Sequence, residues 1–306
     1  MQFQLQLGPT FRGLCDASAA APLDDFHFVA ASDEPRDDGE NQLLIYRCDQ
    51  SEAVGRLDLN AHLQVESKRP EADIESATRV GDVIFWVTSH GRSSKGKKRP
   101  NRQRFFATQW SEGELKFSGA AHFDLRDLLI SQSQLIGDAE KQKLTPEDGG
   151  LSIEGLCEGA EGELWLGFRS PLVKRNALMV LMRCGDENLE LGRFCTLDLG
   201  GRGIRDWQKT GETRWLILAG SSRGGDDFAL YEWNGEPQTA PRLLGDVDEA
   251  LRNCGAAGLH PEALVAWPNG EIWLFGDDGD CEIDGVPNKT LPNENRTFRS
   301  VKIIWT

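Results

Sequence analysis

Short apolar runs separated by polar, glycine-containing turns recur along the whole chain, and no long helical period dominates. The strongest runs are "FHFVAA", "VIFWVT", "LWLGF", "WLILAG" and "IWLFG". Gly-acid pairs sit just before four of them: Gly81-Asp82, Gly162-Glu163, Gly211-Glu212 and Gly270-Glu271. Such pairs supply the positive φ that a tight hairpin needs, so each strong run reads as the second strand of a hairpin. A polar loop follows, then a third strand: "LLIYR", "RFFATQW", "ALMVLMR", "FALYEW" and "SVKIIW". Three copies then end alike, at Leu57-Asp58-Leu59, Phe123-Asp124-Leu125 and Leu197-Asp198-Leu199, which read as fourth strands.

The repeats share a register without gaps. A charged residue stands ten positions before each strong strand: Asp16 before Phe26, Glu75 before Phe85, Glu154 before Leu164, Arg205 before Trp215 and Glu262 before Ile272. A fixed pattern of this length marks a repeat architecture. Four-stranded meanders around one axis predict an all-β fold, a five-bladed β-propeller occupying residues 1–306 as one domain. The last repeat ends after its third strand, and the alternating N-terminal "QFQLQL" is left to supply the fourth and close the ring. A six-bladed ring is the alternative, because the 79 residues between Glu75 and Glu154 leave room for a weak blade. Residues 125–143 instead read as a helical insertion with "TPEDGG" as its exit, and a shorter helix is expected near 246–253.

Composition narrows the picture. A net charge of −15 argues against general nucleic-acid binding, and no run approaches the roughly 18 apolar residues of a membrane span. The seven cysteines form no CxxC pair and lie mostly in strand-like segments, as reduced buried thiols would, and the start shows no secretory signal. A cytoplasmic location is the expectation.

In a propeller the first strand of each blade lines the central channel, so the five charged residues converge at one mouth. The ends of the second strands arrive nearby. The expected funnel contains Asp16, Glu75, Glu154, Glu262, Asp277 and Asp278 with Arg12, Arg169, Arg205 and His90. Clustered carboxylates are relieved by a hard cation such as Ca²⁺ or Mg²⁺, or by bidentate arginine pairs. A third reading makes the charged ring purely structural.

The loop "RSSKGKKRPNRQR" reverses the sign of the chain locally, with Arg92, Lys95, Lys97, Lys98, Arg99, Arg102 and Arg104 and no acid. It reads as a clamp for an anionic ligand or as a solvated loop. Arg202 and Arg223 lie in glycine-rich blade loops and are further candidates for anion contact. No nucleophile elbow, Walker loop or dinucleotide fingerprint is present.

The segments "SIEGLCEGAEGELWLGFRSP" and "HPEALVAWPNGEIWLFGDDG" resemble a broad group of bacterial propellers that includes phytase-like, esterase-like and calcium-dependent lactonase members. With "FRGLCDASAAA", "DIESATRVGDVIFWVTSHGRSSKGKKRPNR" and "RGIRDW", nearly the whole chain is similar to a bacterial propeller family defined as a domain of unknown function. The basic loop after "TSHGR" is the most specific element. The wider resemblance implies calcium held by Glu75, Glu154 and Glu262, with Arg205 standing where an oxygen ligand would be. The function expected is binding, and hydrolysis of an ester, lactone or phosphoester, of a small phosphorylated or carboxylated ligand. Glu75, Glu154 and Glu262 are the candidate catalytic or metal groups, and the remaining funnel residues the ligand contacts. The alternative is a non-enzymatic scaffold for a protein partner.

Overall fold

The computed structural model describes residues 3–160, 162–185 and 188–306. Among them, five four-stranded antiparallel sheets form a five-bladed propeller, with three short helices outside the blades. The first blade consists of Ala19–Pro22, His27–Ala31, Gln42–Arg47 and Gly55–Asp58. The second has Ile74–Val80, Val83–Thr88, Phe105–Ser111 and Glu114–Phe117. The third has Ser152–Glu158, Leu164–Val173, Asn176–Cys184 and Leu189–Leu197. The fourth has Gly203–Gly211, Arg214–Gly220, Ala229–Trp233 and Arg242–Asp246. The fifth has His260–Ala266, Ile272–Asp277 and Thr297–Trp305, and its outer strand is the N-terminal Phe3–Arg12, paired from Phe3 opposite Trp305 to Arg12 opposite Thr297.

Period-two alternation explains why the strong strands are apolar throughout. Successive side chains point to opposite faces of a sheet, and in a propeller both faces of a blade meet a neighbour. In the second blade, Ile84 and Trp86 enter the cluster shared with the first blade, while Val87 enters the cluster shared with the third. Five hydrophobic clusters therefore fill the five seams between blades. The closing seam is aromatic: Phe11 of the N-terminal strand meets Phe28 edge-on at 4.9 Å, and Phe28 stacks on Phe275 at 4.8 Å.

The insertion after the second blade is a helical hairpin rather than one helix. It comprises α1 (Leu125–Gln132) and α2 (Gln134–Gln142), broken at Ser133, whose extended backbone and Oγ, accepting from the Ile136 N–H, cap α2. The third helix, α3 (Val247–Cys254), lies where the sequence places it. Phe123-Asp124-Leu125 is not a strand. Glu112 and Gly113 turn the chain at positive φ, so that Glu114–Phe117 becomes the fourth strand of the second blade, and Phe123 lies between it and α1. None of the described helices is long and apolar enough to cross a membrane.

Candidate functional site

The repeated charged residue sits at a break in pairing in each of the last four blades. Register shifts fall between Ile74 and Ser76, Ile153 and Gly155, Ile204 and Asp206, and Pro261 and Ala263. Glu75, Glu154, Arg205 and Glu262 are thus bulge residues without a cross-strand partner. A β-bulge bends the strand and re-aims the extra side chain, here at the same mouth of the channel. In the first blade Asp16 precedes the strand and forms an isolated bridge with Asp277.

Close approach between blades is what lets the charges meet. A Cβ at Gly203 would collide with the Arg169 carbonyl oxygen, so only glycine lets the strand bearing Arg205 lie against Arg169. Glu154, almost fully buried, accepts from Arg169 Nη1 at 2.7 Å and pairs with Arg205 Nη1 at 2.8 Å. Arg205 Nη2 donates to Glu262 Oε1 at 2.6 Å, and Arg169 Nη2 to Glu147 Oε1 at 3.2 Å. A continuous ion-pair chain, Glu262–Arg205–Glu154–Arg169–Glu147, crosses the third, fourth and fifth blades.

Asp206, the residue after Arg205, is buried between the blades. Its carboxyl accepts from Ser76 Oγ at 2.8 Å and from the Leu264 N–H at 2.7 Å, and Ser76 Oγ accepts from the Leu156 N–H at 2.9 Å. One buried carboxyl and one hydroxyl thereby join four blades.

Toward the first and second blades the mouth is differently built. A recess of about 320 Å³ is lined by five carboxyl groups (Asp33, Glu71, Asp73, Glu75, Glu147) and four guanidiniums (Arg92, Arg99, Arg102, Arg169). Arg102 pairs with Glu71 and with Asp73 at 3.1 Å, and Ser89 Oγ donates to Asp73. Glu75, Asp33 and Arg99 have side chains with no hydrogen-bond or ion-pair partner among the described residues, apart from the field of their neighbours. Burial pushes the Glu75 carboxyl well above the usual range, helped by the nearby Glu154, Asp73 and Glu262. Burial does the same to Asp33, with Asp16, Glu75 and Glu262 adding to it. Glu262 is pushed by burial to about 8 against the opposing pull of Arg205, while burial raises Asp16 and Asp73 to about 6. Asp277 is raised as well, again mainly by burial.

The remaining sequence candidates lie elsewhere. Arg12 stands half exposed against Glu52 at 3.5 Å, outside the recess. Asp278 is buried against Arg299 at 2.6 Å. His90 is fully buried, its Nδ1 2.7 Å from the Thr88 carbonyl oxygen, and burial lowers its pKa to about 3, so it is a neutral core residue rather than a funnel group. Lys95 and Arg223 are exposed and line no part of the recess, and Arg202 is bound to Asp227.

The basic loop does overhang the mouth, but much of it is built into the fold. Arg92 and Arg126 both pair with Glu140 of α2, which staples the helical hairpin to the loop. Arg104 donates to the carbonyl oxygens of Leu63 and Pro100 at 2.6 and 2.7 Å. A Glu140→Gln variant strips the counter-charge from two buried guanidiniums, and is expected to be cut by trypsin within residues 92–104 several times faster than the parent in limited proteolysis.

The calcium site implied by the lactonase-like resemblance does not fit these residues. Both oxygens of Glu154 and one of Glu262 are taken by guanidiniums, so two of the three ligands are engaged and a cation would face Arg205. Among the described residues no three His, Cys, Asp or Glu side chains are grouped to hold a metal ion.

Residues 118–256 match the model of a family described as "Protein of unknown function (DUF3616)". This agrees with the domain-of-unknown-function resemblance read from the sequence. No curated protein matches the chain. Among solved structures, a GH43_1 enzyme from Xanthomonas citri complexed with xylose is 10% identical, with 97% of this chain and 90% of that chain covered and a TM-score of 0.49. A proposed oxidoreductase (glucose dehydrogenase) from Thermus thermophilus is 10% identical over 99% of this chain and 100% of that chain, with a TM-score of 0.47. A proposed 6-phosphogluconolactonase from Bacteroides uniformis is 11% identical over 84% of this chain and 77% of that chain, with a TM-score of 0.40. Likenesses at this level carry no activity from one chain to another.

Sequence reasoning passed over Asp73, Glu71, Glu147 and Asp206 as site residues, and took Arg102 only as one of the seven charges of the basic loop. Asp73 stands two positions before Glu75, and Asp206 directly follows Arg205; in both places the extra acid next to a repeated charge was the available signal.

Proposed function

We propose that the recess beside Glu75 binds a small organic anion, a carboxylate or phosphate ester. The observation that carries this reading is the pairing state of the lining: Arg99 offers a guanidinium with no protein partner among the described residues, in the same recess as two carboxyls, Glu75 and Asp33, that also lack one. If every group ionised, the lining would hold one negative charge in excess. With Glu75 and Asp33 protonated it holds one positive charge in excess, and both acids become hydrogen-bond donors toward an oxygen-rich ligand. A neutral carboxyl in such a position is also equipped to act as general acid toward an ester or phosphoester leaving group.

Calorimetric titration with glucose 6-phosphate and with gluconate tests the reading, one probe for each anion class. Binding of at least one probe is expected, weakened about tenfold or more by Arg99→Gln, as befits loss of a charge-assisted pair. Glu75→Gln should retain binding and abolish any hydrolysis. Absence of heat with both probes, or an Arg99→Gln variant that binds as the parent does, would falsify it.

The ion-pair chain through Arg205 favours a second reading, in which the mouth only locks the blades of a scaffold together. On that reading Arg99→Gln is silent in every binding assay.

A further inference from the structure

The opposite mouth of the channel holds a larger recess, of about 480 Å³, to which all five blades contribute. Its lining combines two chemistries. The fifth blade supplies Trp267 and Trp305, and the first supplies Pro22. Beside them are Arg79 of the second blade and Lys209 and Arg214 of the fourth, with the two carboxylates Glu158 and Glu271. The lining is thus positive by one charge in a chain whose net charge is −15.

Lys209 and Arg79 are held in fixed places, with donors to spare. Lys209 Nζ donates to Glu158 Oε1 at 2.8 Å, one of its three protons, and lies 5.7 Å from the Trp215 ring centre. Arg79 is anchored by Nε and Nη1 on backbone carbonyl oxygens, and its Nη2 reaches only Asp82, at 3.6 Å. The Arg214 guanidinium, paired with Glu232 at 2.7 Å, covers the Trp305 ring at 4.7 Å. Trp267 is 5% exposed, and its indole N–H has no acceptor among the described residues.

We infer that this recess is a second binding site, for a small aromatic anion whose ring lies against Trp267 and Trp305 and whose anionic group meets Lys209 and Arg79. It is separate from the Glu75 recess, with which it shares no lining residue.

Phenyl phosphate is the probe. Isotope-labelled full-length protein is titrated by NMR while the indole N–H signals of Trp267 and Trp305 are followed. Both signals are expected to move saturably, and Lys209→Gln to weaken the apparent affinity about tenfold, the worth of one charge-assisted contact. Lys209→Arg, which keeps the charge, should bind as the parent does, and Arg99→Gln in the other recess should change nothing here. The inference is overturned if neither indole responds, or if Arg99→Gln weakens the response as much as Lys209→Gln. It is also overturned if inorganic phosphate alone binds as tightly as phenyl phosphate, since the ring would then contribute nothing. Failure here leaves the Glu75 recess untouched, because that site is read out through Arg99.

Discussion

Replacing Glu154 with glutamine is expected to lower the melting temperature by on the order of 10 °C, while the same change at Glu75 lowers it not at all. The two residues occupy equivalent bulges in adjacent blades, with the same chemistry and the same register. Their surroundings separate them. Glu154 is 2% exposed and neutralises both Arg169 and Arg205, so the variant leaves two largely buried guanidiniums short of a counter-charge. Breaking a buried pair from one side costs about 3–5 kcal/mol. Glu75 has no partner to lose, and three neighbouring carboxylates disfavour its ionised form. A neutral amide relieves that repulsion, so Glu75→Gln is expected to match or exceed the parent. Thermal denaturation of both variants at neutral pH checks the contrast. A stable Glu154→Gln protein would show that the ion-pair chain contributes little to holding the ring.

A second large effect follows from the same cluster: the fold is expected to grow less stable as pH rises from about 5 to 9. Most carboxyls in proteins that are displaced by pairing are displaced downward, which makes acid destabilising. Here Glu262, Glu75, Asp33, Asp16 and Asp73 are all displaced upward, chiefly by burial. Between their ordinary pKa and their raised one, the native state retains protons that the unfolded chain has released. Stability therefore declines with pH through that window. Asp16 and Asp73 complete their part near 6, and Glu262 continues to about 8. Each unit of displacement corresponds to about 1.4 kcal/mol, so the combined loss should exceed ~2 kcal/mol and be visible as several degrees of melting temperature. Melting curves across this range in one buffer series test it, and Glu75→Gln should flatten the slope. A melting temperature constant or rising from pH 6 to 9 would contradict the upward displacements.

Much of the architecture was legible because it is periodic. The spacing of Glu75, Glu154, Arg205 and Glu262 from their strong strands predicts blade count, strand order and the face on which they meet, and Leu5 and Phe11 in the N-terminal strand are buried as ring closure requires. What periodicity does not carry is pairing. The ten-residue interval contains nothing to say that a bulge falls at each charge, or that Arg205 bridges two glutamates and leaves Glu75 without a partner. Two of the misplaced candidates are sequence neighbours of residues at the mouth. His90 follows Ser89 where the chain turns through a positive φ of 57°, and Asp278 follows Asp277, the last residue of its strand, so in each case the next side chain leaves the mouth. The helix break at Ser133 and the fourth strand at Glu114–Phe117 were hidden for a local reason: they depend on the backbone conformation of one residue, Ser133, and of two, Glu112 and Gly113, rather than on a hydrophobic pattern.

The pairing of Phe3–Arg12 with Thr297–Trp305 has a consequence for how the chain reaches this shape on the ribosome. Phe3–Arg12 is made before every other strand of the ring and pairs with the one made after them, so the aromatic seam of Phe11, Phe28, Phe275 and Phe298 cannot be completed until the fifth blade has emerged. Contacts between such distant parts of a sequence are slow to form, and the open edges offered meanwhile invite pairing with other chains. A nascent propeller of this kind spends its synthesis as an unclosed arc, with Phe11 and Phe28 packed on Tyr46 but lacking Phe275 and Phe298 until the fifth blade arrives.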